Sequence, residues 1–210
     1  MKHKHLGRIG HYYCAIIDHL SSRWYKLFLG HVGKGTLIRN HCRLEGDCLD
    51  NVFIGDSCDI DSYCIIGSRS RLVQDGQKVI PELHIGNGCV FGQYNHITAV
   101  NRIIIGDNLL TGRFVLISDN THGGMSVGEL KIHPSARPVQ SKGEVVIGNN
   151  VWIADKVSIL PGVNIGDGCV IGANSVVTHD IPPYSLAAGS PARILKFLGN
   201  NESNRGQWMY

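Results

Sequence analysis

Residues 147–182 read IGNNVW, IADKVS, ILPGVN, IGDGCV, IGANSV and VTHDIP, six hexads that each open on an aliphatic residue. An α-helix turns about 100° per residue, so a six-residue repeat would scatter those openings over several of its faces. Three short strands bent around a triangular coil would instead turn every opening residue inward. The next coil, 18 residues on, would stack at the usual inter-strand spacing of about 4.8 Å.

The rhythm extends outward from this stretch. Earlier hexads open at Val32, Ile38 and Leu44, at Ile54, Ile60 and Ile66, at Ile85, Phe91 and Ile97, and at Ile105, Thr111 and Ile117. Of 18 hexads, 16 begin with Val, Ile or Leu, and ten have Gly next, which eases a sharp corner. The fifth position is Ser, Thr, Val or Cys in 14 of the 18. Interruptions fall only after a third hexad, at 50–53, 72–84, 103–104 and 123–146, so insertions leave from one corner. The pattern predicts an all-β protein, a triangular parallel β-helix of six coils over 32–182. A helical cap over 1–31 precedes it, and a segment over 183–210 with a short ARILKFL helix and a polar tail follows.

The same register explains the cysteines. Cys42, Cys48, Cys58, Cys64, Cys89 and Cys169 all occupy the fifth, small-residue slot, so their spacing of six is the repeat and not a metal-ligand pattern. Cys14 lies outside it. An odd count of seven, without a secretory signal after MKHKHLGRIG, fits a reducing cytoplasm. With 18% charged residues, a net charge of +3 and scattered Lys and Arg, the chain lacks a nucleic-acid footprint. No run reaches the roughly 20 apolar residues that span a bilayer.

Four landmarks occur in order: IGDNLLTGRFVLISDNTH, IGNNVWI, IGANSVVTHDIPP and AAGSPARILK. With the hexads, they make residues 32–198 resemble the hexapeptide-repeat acyltransferases, whose β-helix is left-handed. The nearer resemblance is to acetyl-CoA-dependent sugar O-acetyltransferases, including galactoside acetyltransferase and the enzymes of capsule and O-antigen synthesis. It implies that His122 is the catalytic base and that Trp152 contributes to the acetyl-CoA site. It also implies that Ala173 and Thr178 line the pantetheine path, with Arg193 and Lys196 near the CoA phosphates. Two positions depart from the family: His179 replaces a usual Lys, and Asp155 a usual small residue. The galactoside enzyme's N-terminal acceptor-holding helix is not recognisable, which argues against a simple galactoside.

The residues fit that chemistry. Acetyl transfer to an alcohol needs a base that takes the hydroxyl proton and donors that hold the tetrahedral oxyanion. An imidazole titrates in the right range. His122 stands where the repeat breaks, beside Gly123 and Gly124, at the head of a 24-residue insertion. Insertions of that length are usually functional, although a loop clamping a neighbouring chain would look the same. Asp119 is a candidate to orient the ring. Asn95 and His96 are candidate acceptor contacts one coil below, or a corner clasp, and Asn101 is a weaker one. Arg102, in the slot of His122 one coil earlier, is a candidate groove residue. Arg137 and Lys142 either meet an anionic acceptor or are merely solvated.

His122 closes a third hexad and Trp152 a first hexad, so they fall at different corners, roughly 15–20 Å apart for six extended residues. One thioester reaches both only if neighbouring chains share a site. The expectation is therefore an oligomer with active sites between subunits, and the resemblance specifies a homotrimer. The other expectations are a sugar or glycan acceptor, acetyl-CoA as co-substrate and no metal. The spacing of His122 and His133 does not match the zinc ligands of γ-type carbonic anhydrases on the same scaffold. N-acetylation of an amino sugar, free or nucleotide-linked, is the close alternative, and a silent scaffold the remote one. Tyr13, Ile16, Ile17, Leu20, Trp24, Leu27 and Phe28 share a helical face. They predict a lid packed on coil one, or a helix lying on an acidic membrane.

Overall fold

A computed structural model of the chain describes residues 15–124 and 126–198. Arg8, Tyr13, Cys14 and the tail from 200 onward lie outside the described residues. Three parallel sheets form the sides of a prism, and every hexad register predicted above is present.

The first sheet stacks β1 (His31–Val32), β4 (Val52–Ile54), β9 (Glu82–Ile85), β12 (Arg102–Ile105), β17 (Val145–Ile147) and β20 (Asn164–Ile165). The second begins with β2 (Leu37–Ile38), β5 (Asp59–Ile60), β10 (Val90–Phe91), β13 (Leu110–Thr111), β18 (Trp152–Ile153) and β21 (Val170–Ile171). The third runs through β3 (Arg43–Glu45), β6 (Ile65–Ser68), β11 (His96–Ala99), β14 (Leu116–Ser118), β19 (Ser158–Ile159) and β22 (Val176–Val177). The hexad openings pair coil to coil, as in Ile54 with Ile85 and Ile97 with Ile117, and fill one continuous core. With the structural relatives described below, the winding is left-handed.

The second hexad position is Gly for a reason the repeat alone does not state. At the first corner the Asp or Asn that follows accepts the backbone N–H of its counterpart one coil earlier. Asn87 Oδ1 accepts from Asp56 N at 2.8 Å, Asp107 Oδ1 from Asn87 N at 2.6 Å, and Asn149 Oδ1 from Asp107 N at 2.8 Å. A Cβ on Gly86 would lie 2.5 Å from Asp107 Oδ1, and one on Gly106 would lie 2.6 Å from Asn149 Oδ1. The Gly–Asx pair is therefore one device: the glycine leaves the space that the next coil's side chain fills. Asp155 works similarly at the second corner, where its Oδ1 accepts from Arg113 N at 2.8 Å. Along that corner His41, Tyr63, Tyr94 and Phe114 stack face to face at 5.0, 5.0 and 4.9 Å.

Two polar residues break the hydrophobic code and answer each other. Thr111 opens its hexad and Asn95 sits in a small-residue slot, and both are buried. Asn95 Nδ2 donates to Thr111 Oγ1, and its Oδ1 accepts from Val115 N at 2.7 Å. The buried thiols also find partners, as in Cys58 Sγ to Gly86 O at 3.1 Å and Cys64 Sγ to Gly92 O at 3.1 Å.

Both ends differ from expectation. ARILKF is not a helix: after Gly189 and Pro191 the chain reverses. β24 (Ala192–Phe197) then pairs antiparallel with β23 (Ser185–Gly189), which itself continues the second sheet beside β21. A free strand edge captured the segment. At the other end α1 (15–25) does cover coil one, but by its polar face, with Asp18 and Ser22 buried.

Candidate active site

All the larger insertions lie between a third-sheet strand and the next first-sheet strand. The 123–146 segment is ordered by its own contacts. β15 (Thr121–His122) pairs antiparallel with β16 (Val139–Gln140), setting His122 opposite Val139, and Gly123 N donates to Pro138 O at 2.8 Å. Between these strands, α2 (Val127–Leu130) is capped by the Ser126 hydroxyl. The Glu129 carboxylate ties the loop together by accepting from Ser126 Oγ at 2.7 Å, Gln140 Nε2 at 2.9 Å and Gly124 N at 3.1 Å. The Ser126 hydroxyl foremost, then the Gly124 amide, hold its pKa below the usual carboxylate range. Arg137 is turned inward, donating to Ile132 O and Leu130 O, so it serves the loop and not a ligand.

His122 is exposed at the mouth of a groove of about 410 Å³ that runs down the third sheet. The groove also holds His96, Thr178 and Lys142, and ends at Arg69 and Arg71. His96 is half-buried, and that burial pushes its imidazole pKa down. Glu45 lies between Arg43 and Arg69 and ion-pairs with both. Arg71 and Lys142 form no ion pair among the described residues, so that end of the groove keeps positive charge.

The predicted residues therefore divide. His122, His96 and Thr178 share the groove. Asn95 does not reach it: the side chain is 1% exposed, and both ends of its amide are spent inside the core. Arg102 faces elsewhere, between Glu82 at 3.4 Å and Glu144 at 3.6 Å. Asp119 does not orient the imidazole. It is fully buried and accepts from Val100 N at 2.9 Å and Asn101 N at 2.8 Å, closing the corner one coil below. Burial raises its pKa against those hydrogen bonds.

The residues expected to meet coenzyme A lie on other surfaces. Trp152 projects from the second sheet, 41% exposed, between Leu110 and Val170. Ala173 is exposed at the second corner. Arg193 and Lys196 are exposed on β24, Arg193 beside a shallow depression with His179 and Asp180. Arg69 and Arg71 were missed by the sequence reading. They are the fourth and sixth residues of a third hexad, immediately before an insertion, and that placement is the signal that marks them.

The bacterial transferase hexapeptide family model, of six repeats, matches residues 144–179. WbbJ of Escherichia coli K12, named for lipopolysaccharide-biosynthesis O-acetyl transfer, is 38% identical over 122 residues, covering 53% of this chain and 62% of WbbJ. Galactoside O-acetyltransferase of the same strain is 37% identical over 129 residues, covering 58% of this chain and 57% of the enzyme. The chain thus spans less than two-thirds of either relative. Among solved structures, the hexapeptide-repeat acetyltransferase VCA0836 of Vibrio cholerae, complexed with acetyl-CoA, superposes with a TM-score of 0.54 at 25% identity, covering 83% of this chain and 74% of that one. Repeat, sheet register and relatives agree on a left-handed β-helix, and residues 144–179 carry the hexapeptide repeats of the bacterial transferase family.

Proposed function

We propose that the protein is an acetyl-CoA-dependent O-acetyltransferase that modifies a sugar hydroxyl during surface-polysaccharide synthesis, acting in the cytoplasm. One observation carries the reading: an exposed imidazole, fixed through its backbone by the β15–β16 pairing, lines a groove of about 410 Å³ on the third sheet. WbbJ and the galactoside enzyme, both named as O-acetyl transferases, support the acyl group and the acceptor class.

In the transfer, the acceptor oxygen attacks the thioester carbonyl carbon while His122 takes the hydroxyl proton. Collapse of the tetrahedral intermediate breaks the C–S bond, and the imidazolium returns the proton to the departing CoA sulfur. No covalent enzyme intermediate is needed. Arg71 and Lys142 suit an acceptor that brings negative charge. Trp152, Ala173, Arg193 and Lys196 seat coenzyme A, with Thr178 between the two substrates.

His122 and Trp152 stand on different sides of one prism, so one thioester reaches both only across a subunit interface, and the resemblance to the sugar acetyltransferases makes that oligomer a homotrimer. Incubation with acetyl-CoA and a panel of sugars, amino sugars and glycans, read by mass spectrometry, tests the reaction. An O-linked acetyl group is the expected product; an amide on an amino sugar would replace the reading with N-acetylation. Mixing His122→Ala with Trp152→Ala subunits tests the shared site. Mixed trimers regain activity if each interface draws on two chains, and stay inactive if it does not.

A further inference from the structure

The cap α1 is inverted relative to an ordinary amphipathic helix. Its inner face is polar because the open end of the prism offers unpaired strand groups, not an apolar surface. Ser22 Oγ accepts from Ile38 N at 3.1 Å, Asp18 Oδ1 accepts from Asn40 N at 3.1 Å, and Tyr25 OH donates to Cys42 O at 2.8 Å. Asp18 also meets Arg39 at 3.3 Å. These contacts stand in for a missing coil and fix the rotation of the helix about its axis.

The opposite face is left outside. Ile16, Leu20 and Trp24 follow one another at i, i+4 and i+8, and Leu27 and Phe28 continue the stripe through the next turn. They are 60%, 62%, 61%, 74% and 46% exposed. Surfaces this apolar mark interaction sites when they are contiguous. The charges beside them in the chain are of one sign. Arg23 and Lys26 flank the stripe, Lys2, Lys4 and Arg8 precede it, and Asp18 is the only carboxylate in residues 1–28. Asp18 is buried and paired.

We infer that this face docks on an anionic lipid bilayer, α1 lying in the interface with its apolar stripe among the acyl chains. Apolar residues bounded by cations match that surface. A second copy of the chain matches it poorly, because two such faces would bring like charges together with no carboxylate between them. No helix among the described residues is long and apolar enough to cross a membrane, so the contact is peripheral. It would hold the groove near acceptors carried on lipid, but it does not depend on the reaction proposed above.

The test is sedimentation of the full chain with vesicles of phosphatidylcholine alone or mixed equally with phosphatidylglycerol. The expected result is recovery with the anionic vesicles only, lost when salt shortens the screening length to a few ångströms. Leu20→Glu with Trp24→Glu should cut that recovery by about tenfold or more. Its solution mass and its activity on a soluble acceptor should be unchanged, since neither residue touches coil one through a polar contact. Failure of wild type to sediment with anionic vesicles would overturn the inference. So would a fall in the variant's oligomeric mass, which would assign the stripe to contacts between copies.

Discussion

The first and third corners of the prism both join short strands of neighbouring sheets, yet only one of them repeats. At the first corner coils two to six spend the same two residues, a glycine and an Asp or Asn, and each Asx side chain holds the coil before it. At the third corner no such chain exists. Coil two leaves through Arg69 and Arg71, and coil three is closed by Asp119 reaching down from coil four. Coil four leaves through His122 into a loop tied by Glu129. A corner that need not match its neighbours is free to carry side chains that face a ligand. The regular corner carries the stability, and the irregular one holds the groove.

The largest effect expected from breaking this division lies at the irregular corner. His122→Ala should lower acceptor-dependent CoA release by about 10²–10⁴-fold, the range for loss of a general base. Its unfolding midpoint should match wild type, because the ring is exposed and the β15–β16 pairing is made by backbone. Unchanged CoA release would reduce this corner to a loop anchor and remove the contrast.

The regular corner should respond in the opposite way. Gly86→Ala forces a Cβ to 2.5 Å from Asp107 Oδ1 and 2.6 Å from the Gly106 carbonyl. A loss of about 3 kcal/mol, typical of overpacking, is expected in denaturant unfolding, with activity per folded molecule retained. Gly76→Ala, in the coil-two insertion, is the matched control. Nothing lies within 4 Å of its Cβ, so only its positive φ of +75° is penalised, about 1 kcal/mol. A loss at Gly86 no larger than at Gly76 would mean that the Asp107 side chain yields to the added methyl and that the glycine does not reserve its space.

How much of this was legible follows from which forces act along the sequence. Inward side chains recur every six residues whatever the corners do, so the coils and their register could be read directly. The Asx ladder could not be read from one coil, because its hydrogen bonds join residues 18 or more apart. Rules for amphipathic helices assume an apolar seat, so they placed Ile16, Leu20 and Trp24 inward. The end of a β-helix presents N–H and C=O groups instead, and Ser22 and Asp18 answer those. ARILKF has the composition of a helix, but a vacant sheet edge decides its form. At the groove, His122 and His96 could be picked out because the residue that closes a hexad projects outward. Asn95 and Arg102 were misplaced because slot equivalence says nothing of local partners: Thr111 draws the first into the core, and Glu82 and Glu144 hold the second aside.

Asn95 and Thr111 sharpen the comparison inside the core. Thr111→Val leaves the Asn95 amide and Gly92 N without their acceptor, at a cost of about 1–2 kcal/mol. The double variant Asn95→Val/Thr111→Val restores an apolar pair, though Val115 N then lacks an acceptor. Its loss should be smaller than the sum of the two single losses, measured as a double-mutant cycle. Additive losses would mean that the two residues do not act as a pair.

The smallest effect concerns His96, where the groove meets the core. Burial lowers its pKa from an ordinary value near 6.5. The unfolded chain therefore takes up a proton at that position while the folded chain still resists it. Stability from this residue is complete above pH 6.5 and drains away as pH falls through the depressed folded value. His96→Asn removes the group that titrates, so its stability should change less steeply between about pH 7 and pH 5 than that of wild type. Glu45 opposes the shift, whereas Arg69 and Arg43 reinforce it. Glu45→Gln should accordingly steepen the wild-type slope, and a slope indifferent to both changes would place His96 in solvent.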